Sequence, residues 1–269
     1  MIFNSKLSII TVNLNNKDGL QNTINSIINQ SFRDFEWIII DGGSTDGSKA
    51  LIESYQDYID YWVSESDKGI YNGMNKGILN SHGEYLLFLN SGDFLYDNDV
   101  IKKIIPLLHD YDMFYGIEII NNKNFDTKFR GLLSDKEIIK IFAYSYFPHG
   151  STFIKRHVFD FYGLYEEKLN YASDELFYYK TLILGNAKIV ALPNIISVFE
   201  GNGVSVRKIK EYLAEFNEEI NKYPRIKELI EFYKLNREIL ESIHYSKLTF
   251  NSFRIYYWFY RKFLKKKLF

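Results

Sequence analysis

The sequence predicts an α/β fold over residues 1–205, a mostly parallel sheet flanked by helices, and three observations lead there. Short apolar runs of strand length, LSIITV at 7–12, EWIII at 36–40 and YLLFL at 85–89, alternate with segments whose apolar residues recur at helical spacing. Each run gives way to a polar turn rich in Asn, Asp, Ser and Gly. That alternation implies right-handed crossovers between parallel strands, which bring the turns to one sheet edge, the edge where open α/β sheets bind ligands.

The elements follow in order. Leu7–Val12 is a buried first strand, and a polar turn over Asn13–Asp18 leads into a helix over 19–29 with Leu20, Ile24, Ile27 and Ile28 on one face. The second strand, Glu36–Ile40, ends at Asp41. The turn 42–48, GGSTDGS, suits tight backbone geometry and caps the next helix, which runs to Tyr55. A strand at Tyr61–Glu65, a helix at Ile70–Leu79 and the strand at Tyr85–Leu89 complete this half. Beyond Asp93 the pattern predicts a helix at Val100–His109 and a strand at Asp112–Ile120 with a hairpin partner at Asn124–Arg130. Then come a helix at Lys136–Tyr144 capped by Ser134 and Glu137, extended chain at Pro148–Ile154 and a helix at Tyr171–Gly185. Short strands at Lys188–Leu192 and Ile196–Glu200 close the sheet region. From 206 to 269 the chain reads as a helical extension, with Pro224 at a helix start.

Composition narrows the class. With 46% apolar and 25% charged residues over 269 positions, a sizeable core is available. The 22 Tyr and 22 Phe suit either an aromatic core or sugar-stacking surfaces. The absence of cysteine excludes disulfides and thiolate metal sites and suits a cytoplasmic protein. No signal peptide or membrane-spanning run is expected. Neither a Gly-x-Gly-x-x-Gly in the first turn nor a Walker-type loop is present, which disfavours dehydrogenases and P-loop enzymes.

Two segments, DKGIYNGMNKGI at 67–78 and GEYLLFLNSGD at 83–93, resemble the central signature of the family 2 inverting glycosyltransferases, which have the GT-A fold. The resemblance is dense over 7–99 and weaker over 148–205. It implies an enzyme that moves a sugar from a nucleotide-sugar, UDP-linked by expectation, to a glycan or lipid-linked acceptor of bacterial surface polysaccharide synthesis. In that family an Asp-x-Asp turn binds a metal that bridges the donor's diphosphate. Here Asn90 stands where many members have the first acid, and Asp93 matches the metal-binding acid, so the resemblance implies a divalent cation, Mn2+ or Mg2+, at Asp93. Asp41 matches the acid that contacts the base, where its carboxylate is suited to accept a uracil imide hydrogen bond. Asp67 matches a second nucleoside contact, and Thr11 and Asn13 share the same edge. Lys68 is a candidate to balance diphosphate charge.

Inverting transfer needs one general base. The resemblance assigns it to Asp174, with Glu175 as runner-up because a shift of one position exchanges them. The competing role for both is an acid favoured by the helix dipole. His149, in PHGSTF, matches a position where relatives often carry His and is a candidate to orient acceptor or phosphate. Gly201–Ser205 resembles the family's closing segment over the donor.

Residues 247–269 carry seven Lys or Arg and no Asp or Glu, interleaved with aromatics, in a chain of net charge −1. That tail suggests a helix lying on the inner, anionic face of the cell membrane. Packing on the protein or in a homodimer competes with it, and the acidic body disfavours nucleic acid. Two other classes stay open: a sugar nucleotidyltransferase, and a non-catalytic sugar-nucleotide-binding partner.

Overall fold

A computed structural model of the chain describes residues 5–121, 128–130, 147–185, 187–200 and 207–235. The expected helix at Lys136–Tyr144, the closing segment Gly201–Ser205 and the basic tail lie outside these residues. Nine strands among them form one sheet: β1 (Leu7–Asn13), β2 (Glu36–Asp41), β3 (Tyr61–Ser64), β4 (Tyr85–Phe88), β5 (Phe94–Leu95), β6 (Met113–Ile120), β7 (Lys128–Arg130), β8 (Thr152–Lys155) and β9 (Ile189–Phe199). Their order is β3-β2-β1-β4-β8-β6-β9-β5, with β7 paired to β6. The helices are α1 (Lys17–Ile28), α2 (Ser48–Ser54), α3 (Ile70–Leu79), α4 (Val100–Ile104), α5 (Arg156–Tyr162), α6 (Ser173–Tyr179), α7 (Ile209–Ile220) and α8 (Pro224–Leu235).

Alternation along β1 explains the two-sided core. Leu7 and Ile9 join Trp37, Leu87 and Phe153 against α1 and α4, while Ile10 and Val12 join Ile38, Phe88 and Tyr115 against α3. Strands β1 to β4 pair in parallel, with Asn13 opposite Asp41 at the carboxyl end. Because β1 lies between β2 and β4, the order reverses there, and the carboxyl ends of β1 and β4 mark where a sheet of this topology has its ligand crevice. On the far side of β4 the sheet turns mixed: β8 is antiparallel to β4 and β6, and β9 is parallel to β6.

Several elements differ from expectation for physical reasons. The helix after Val100 stops at Ile104 and tightens into a 3₁₀ turn, Ile105–Leu107, that contains Pro106. His149–Ser151 is a 3₁₀ turn before β8, not extended chain. The two short strands after Lys188 are one, β9; it passes Pro193 because the register slips there, Ala191 pairing with Tyr115 and Ile195 with Ile117. The helix expected from Tyr171 starts at Ser173 and widens to a π turn at Lys180–Leu184. Strand β5 and helix α5 were not expected. Side chains of α7 and α8, among them Phe216, Ile220, Ile226 and Phe232, belong to the same apolar cluster as Phe88 and Tyr178.

Candidate active site

The turn Asn90–Asp93 leaves β4 at the crevice, and α1 clamps it. Ser91 N–H bonds Val12 C=O at 3.0 Å, and Asn16 Nδ2 donates to Ser91 C=O at 2.9 Å. The buried Thr23 hydroxyl accepts the Gly92 N–H at 3.1 Å and donates to Asp93 C=O at 2.7 Å. Gly92 has φ +103, a region that L side chains rarely adopt, so glycine is what lets the turn close. Thr23→Val keeps the shape and removes both bonds. We expect it to cost about 1–3 kcal/mol in urea unfolding and to loosen whatever Asp93 holds.

Asp41 is fully buried and accepts four hydrogen bonds. Oδ1 takes Asn13 Nδ2 at 2.7 Å and Ser44 Oγ at 2.5 Å; Oδ2 takes Ser44 N–H at 3.0 Å and Ser64 Oγ at 2.6 Å. Burial alone would raise its pKa, but the bonds from Ser44, Ser64 and Asn13 outweigh burial and hold it below the usual range. All four of these acceptor positions are thus filled by protein, rather than left open for a base. Because a carboxylate only accepts, it fixes the Asn13 amide with nitrogen toward Asp41. Asn13 Oδ1 is left buried with no protein donor, and so is Asn90 Oδ1.

The other nucleotide-site candidates divide. Thr11 is core: it is fully buried and its hydroxyl accepts the Trp37 indole N–H at 3.2 Å, because it shares the strand face of Leu7 and Ile9. Asp67 lies at the edge against Gly42, where an added Cβ would come within 2.6 Å of its Oδ2. It accepts the Gly69 N–H at 3.0 Å. Lys68 is exposed in the same turn.

Asp93 is partly buried. Burial first, then the negative charges of Glu118 on β6 and Glu200 after β9, push its carboxyl well above the usual range. Among the described residues, no three His, Asp or Glu side chains assemble as a complete metal-binding group.

The two acids of α6 part company. Asp174 accepts the Tyr71 hydroxyl at 2.7 Å on Oδ1, and its Oδ2 is 3.9 Å from His149 Nδ1. Its side chain keeps 26% of its exposure. Glu175 is buried and turned onto α7, where it accepts the Tyr212 hydroxyl. His149 stacks on Phe88 at 5.0 Å, and its Nδ1 meets Tyr178 Oη at 3.0 Å. Burial holds its imidazole below the usual range against the opposing pull of Asp174. Its Nε2 is buried without a partner. The structure therefore gathers Tyr71, His149 and Asp174 at one place. Tyr71 was missed as a site residue although it lies inside DKGIYNGMNKGI.

The family model described as glycosyl transferase family 2 matches residues 8–165. The chain belongs to glycosyl transferase family 2. Glycosyl transfer is the chemistry that membership supports, and the match spans the crevice, Asp93 and His149 but ends before Asp174. An uncharacterized glycosyltransferase of Mycobacterium tuberculosis is 28% identical over 210 residues, covering 74% of this chain and 76% of its own. Among solved structures, residues 1–349 of S. aureus TarS with UDP-GlcNAc give a TM-score of 0.64 at 18% identity, covering 86% of this chain and 72% of that one. This chain spans only 43% of the longer TarS structure. A mannosyltransferase of Pyrobaculum calidifontis with GDP-Man and Mn2+ gives 0.63 at 13% identity, covering 94% and 78%. These likenesses show the GT-A type of fold shared by the sheet and its helices.

Proposed function

We propose that the protein transfers a sugar, with inversion, from a UDP-sugar to a hydroxyl of a glycan or lipid-linked acceptor. The observation that carries this reading is the pair of unfilled buried acceptors, Asn13 Oδ1 and Asn90 Oδ1, on residues at the carboxyl ends of β1 and β4. Buried acceptors without donors are costly, and a nucleotide-sugar brings both an imide N–H and sugar hydroxyls. Asp41 then works by orienting Asn13, Asp67 adds a contact to the nucleoside, and Lys68 offsets diphosphate charge. The UDP-GlcNAc complex of TarS supports the nucleotide class.

The residues fit a divalent cation, Mn2+ or Mg2+, on one observation. The partly buried Asp93 carboxyl faces the negative charges of Glu118 and Glu200, and positive charge beside it relieves that. Asp93 would hold the ion through its carboxylate, a hard oxygen ligand of the kind such cations take. When bound, such an ion stabilises the charge that develops on the departing diphosphate. Asp174 Oδ2 takes the proton of the acceptor hydroxyl as that oxygen bonds to the anomeric carbon and the bond to UDP breaks. Tyr71 holds the other carboxylate oxygen, and neutral His149 borders the acceptor. The basic tail brings the protein to an anionic membrane that carries a lipid-linked acceptor.

The test is thermal stabilisation by UDP-, GDP-, CMP- and dTDP-sugars, each with and without Mn2+. A ligand at 100 times its Kd stabilises the native state by about 2.7 kcal/mol. We expect a metal-dependent rise in Tm with the UDP class that is lost in Asp93→Ala. No rise with any nucleotide would remove the donor site.

A further inference from the structure

Helix α6 carries the proposed base, yet nothing on its own strand of chain caps it. Ala172 stands at its N-cap position and makes no side-chain cap bond. The helix has seven residues, too short to hold a direction alone, so its orientation comes from tertiary contacts. The contacts at its start come in part from α7, beyond the part of the chain that the family model matches. Glu215 Oε1 accepts the N–H groups of Tyr171 at 2.7 Å and Ala172 at 3.0 Å, and Oε2 accepts that of Asn170 at 2.8 Å. One carboxylate from 43 positions downstream of Ala172 thus serves three consecutive backbone donors. On the same face of α7, Tyr212 donates to Glu175, Phe216 lies 5.8 Å from the Tyr179 ring, and the stacked Tyr212–Phe216 pair completes the contact. At the loop before α6, Lys168 reaches Glu219 at 3.9 Å.

We propose that Glu215 is a positioning residue for glycosyl transfer, and that α7 is part of the catalytic apparatus. It acts two residues upstream of Asp174 by fixing where α6 begins. Asp174 has a second anchor, the Tyr71 bond from α3, so its carboxylate is aligned only if α6 and α3 keep their spacing. Without Glu215 the 170–172 segment loses its acceptors to water and the start of α6 is free to shift. A displacement of about 1 Å at a reacting group costs on the order of 100-fold in rate. The proposed nucleotide site lies on β1, β2, β3, β4 and the turns after them, whereas the hydrogen bonds of Glu215 go to residues 170–172.

This inference rests on Asp174 being the base. The experiment compares Glu215→Ala, Glu215→Gln and Asp174→Asn in the full chain. It reads UDP release from whichever of UDP-glucose, UDP-galactose or UDP-GlcNAc binds, together with the Kd and KM for that donor. We expect Glu215→Ala to lower kcat about 10- to 100-fold with donor Kd and KM within about twofold of wild type. Glu215→Gln should recover part of the loss, since its carbonyl oxygen still accepts from Tyr171 and Ala172. Should Glu215→Ala fail to fold, the same split in the Gln variant decides. Unchanged kcat in both variants overturns the proposal, and so does a loss of kcat and donor affinity in proportion, which is what a merely structural role gives. Full turnover by Asp174→Asn sinks the base assignment instead, whatever Glu215 does.

Discussion

Asp174→Asn is expected to lower kcat by about 10²- to 10⁴-fold, the usual contribution of a positioned general base, with donor affinity and Tm nearly unchanged. The substitution is conservative where it matters for structure. The amide oxygen can still accept the Tyr71 hydroxyl, which the carboxylate now does at 2.7 Å, so α3 and α6 stay tied. What is lost is the capacity to take a proton. Donor binding is the control, because the crevice around Asn13, Asp41 and Asn90 lies on β1, β2 and the turn after β4. His149 is the rival base: its Nε2 lacks a partner, and burial keeps the ring neutral and able to accept. Single-turnover rates for His149→Ala and Asp174→Asn separate the two. Wild-type turnover by Asp174→Asn together with loss in His149→Ala would move the base to the imidazole. Turnover absent in the wild type, with donor binding intact, would favour a binding partner over an enzyme.

The half of the sheet that forms the crevice was legible because local pattern and local chemistry agree there. In β1, β2 and β4, apolar runs of strand length end in turns whose Asn, Asp and Gly already announce the edge, and the signature at 67–93 fixes which edge it is. Thr11 shows where that reading runs out. Both faces of β1 are buried, so polarity did not say which way a threonine points, and only the packing of Trp37 settles it. Strand β9 looked like two because Pro193 normally ends a strand, and the bulge that admits it depends on β6, far away in the chain, where Tyr115 pairs with Ala191 and Ile117 with Ile195. The grip of Glu215 on α6 left no local trace. A glutamate on a charged amphipathic helix is ordinary until the chain 43 residues upstream is folded against it.

Asp41→Ala is expected to be the most destabilising change at the site, on the order of 3 kcal/mol in urea unfolding, since it strands one buried and three part-buried donors, a buried one costing about 1–3 kcal/mol. The donors are Asn13 Nδ2, the Ser44 N–H and hydroxyl, and the Ser64 hydroxyl. The pH dependence follows from the depressed pKa. A carboxyl held below its unfolded value, about 3.9 for Asp, contributes stability that is fully present above that value. It is lost as pH falls through the lower folded pKa, because the unfolded chain then binds the proton first. Wild type and Asp41→Ala should therefore differ most at neutral pH and converge below about pH 4. Donor affinity in the more conservative Asp41→Asn tells scaffold from direct contact. An amide at 41 has one acceptor oxygen and two donors, so it can no longer dictate the flip of Asn13. If Asp41 acts through Asn13, adding Asn13→Ala to Asp41→Asn should weaken UDP binding little further, because both remove the same oriented oxygen. Independent, additive losses would mean that Asp41 meets the base itself, with one of its four protein donors giving way when the nucleotide enters.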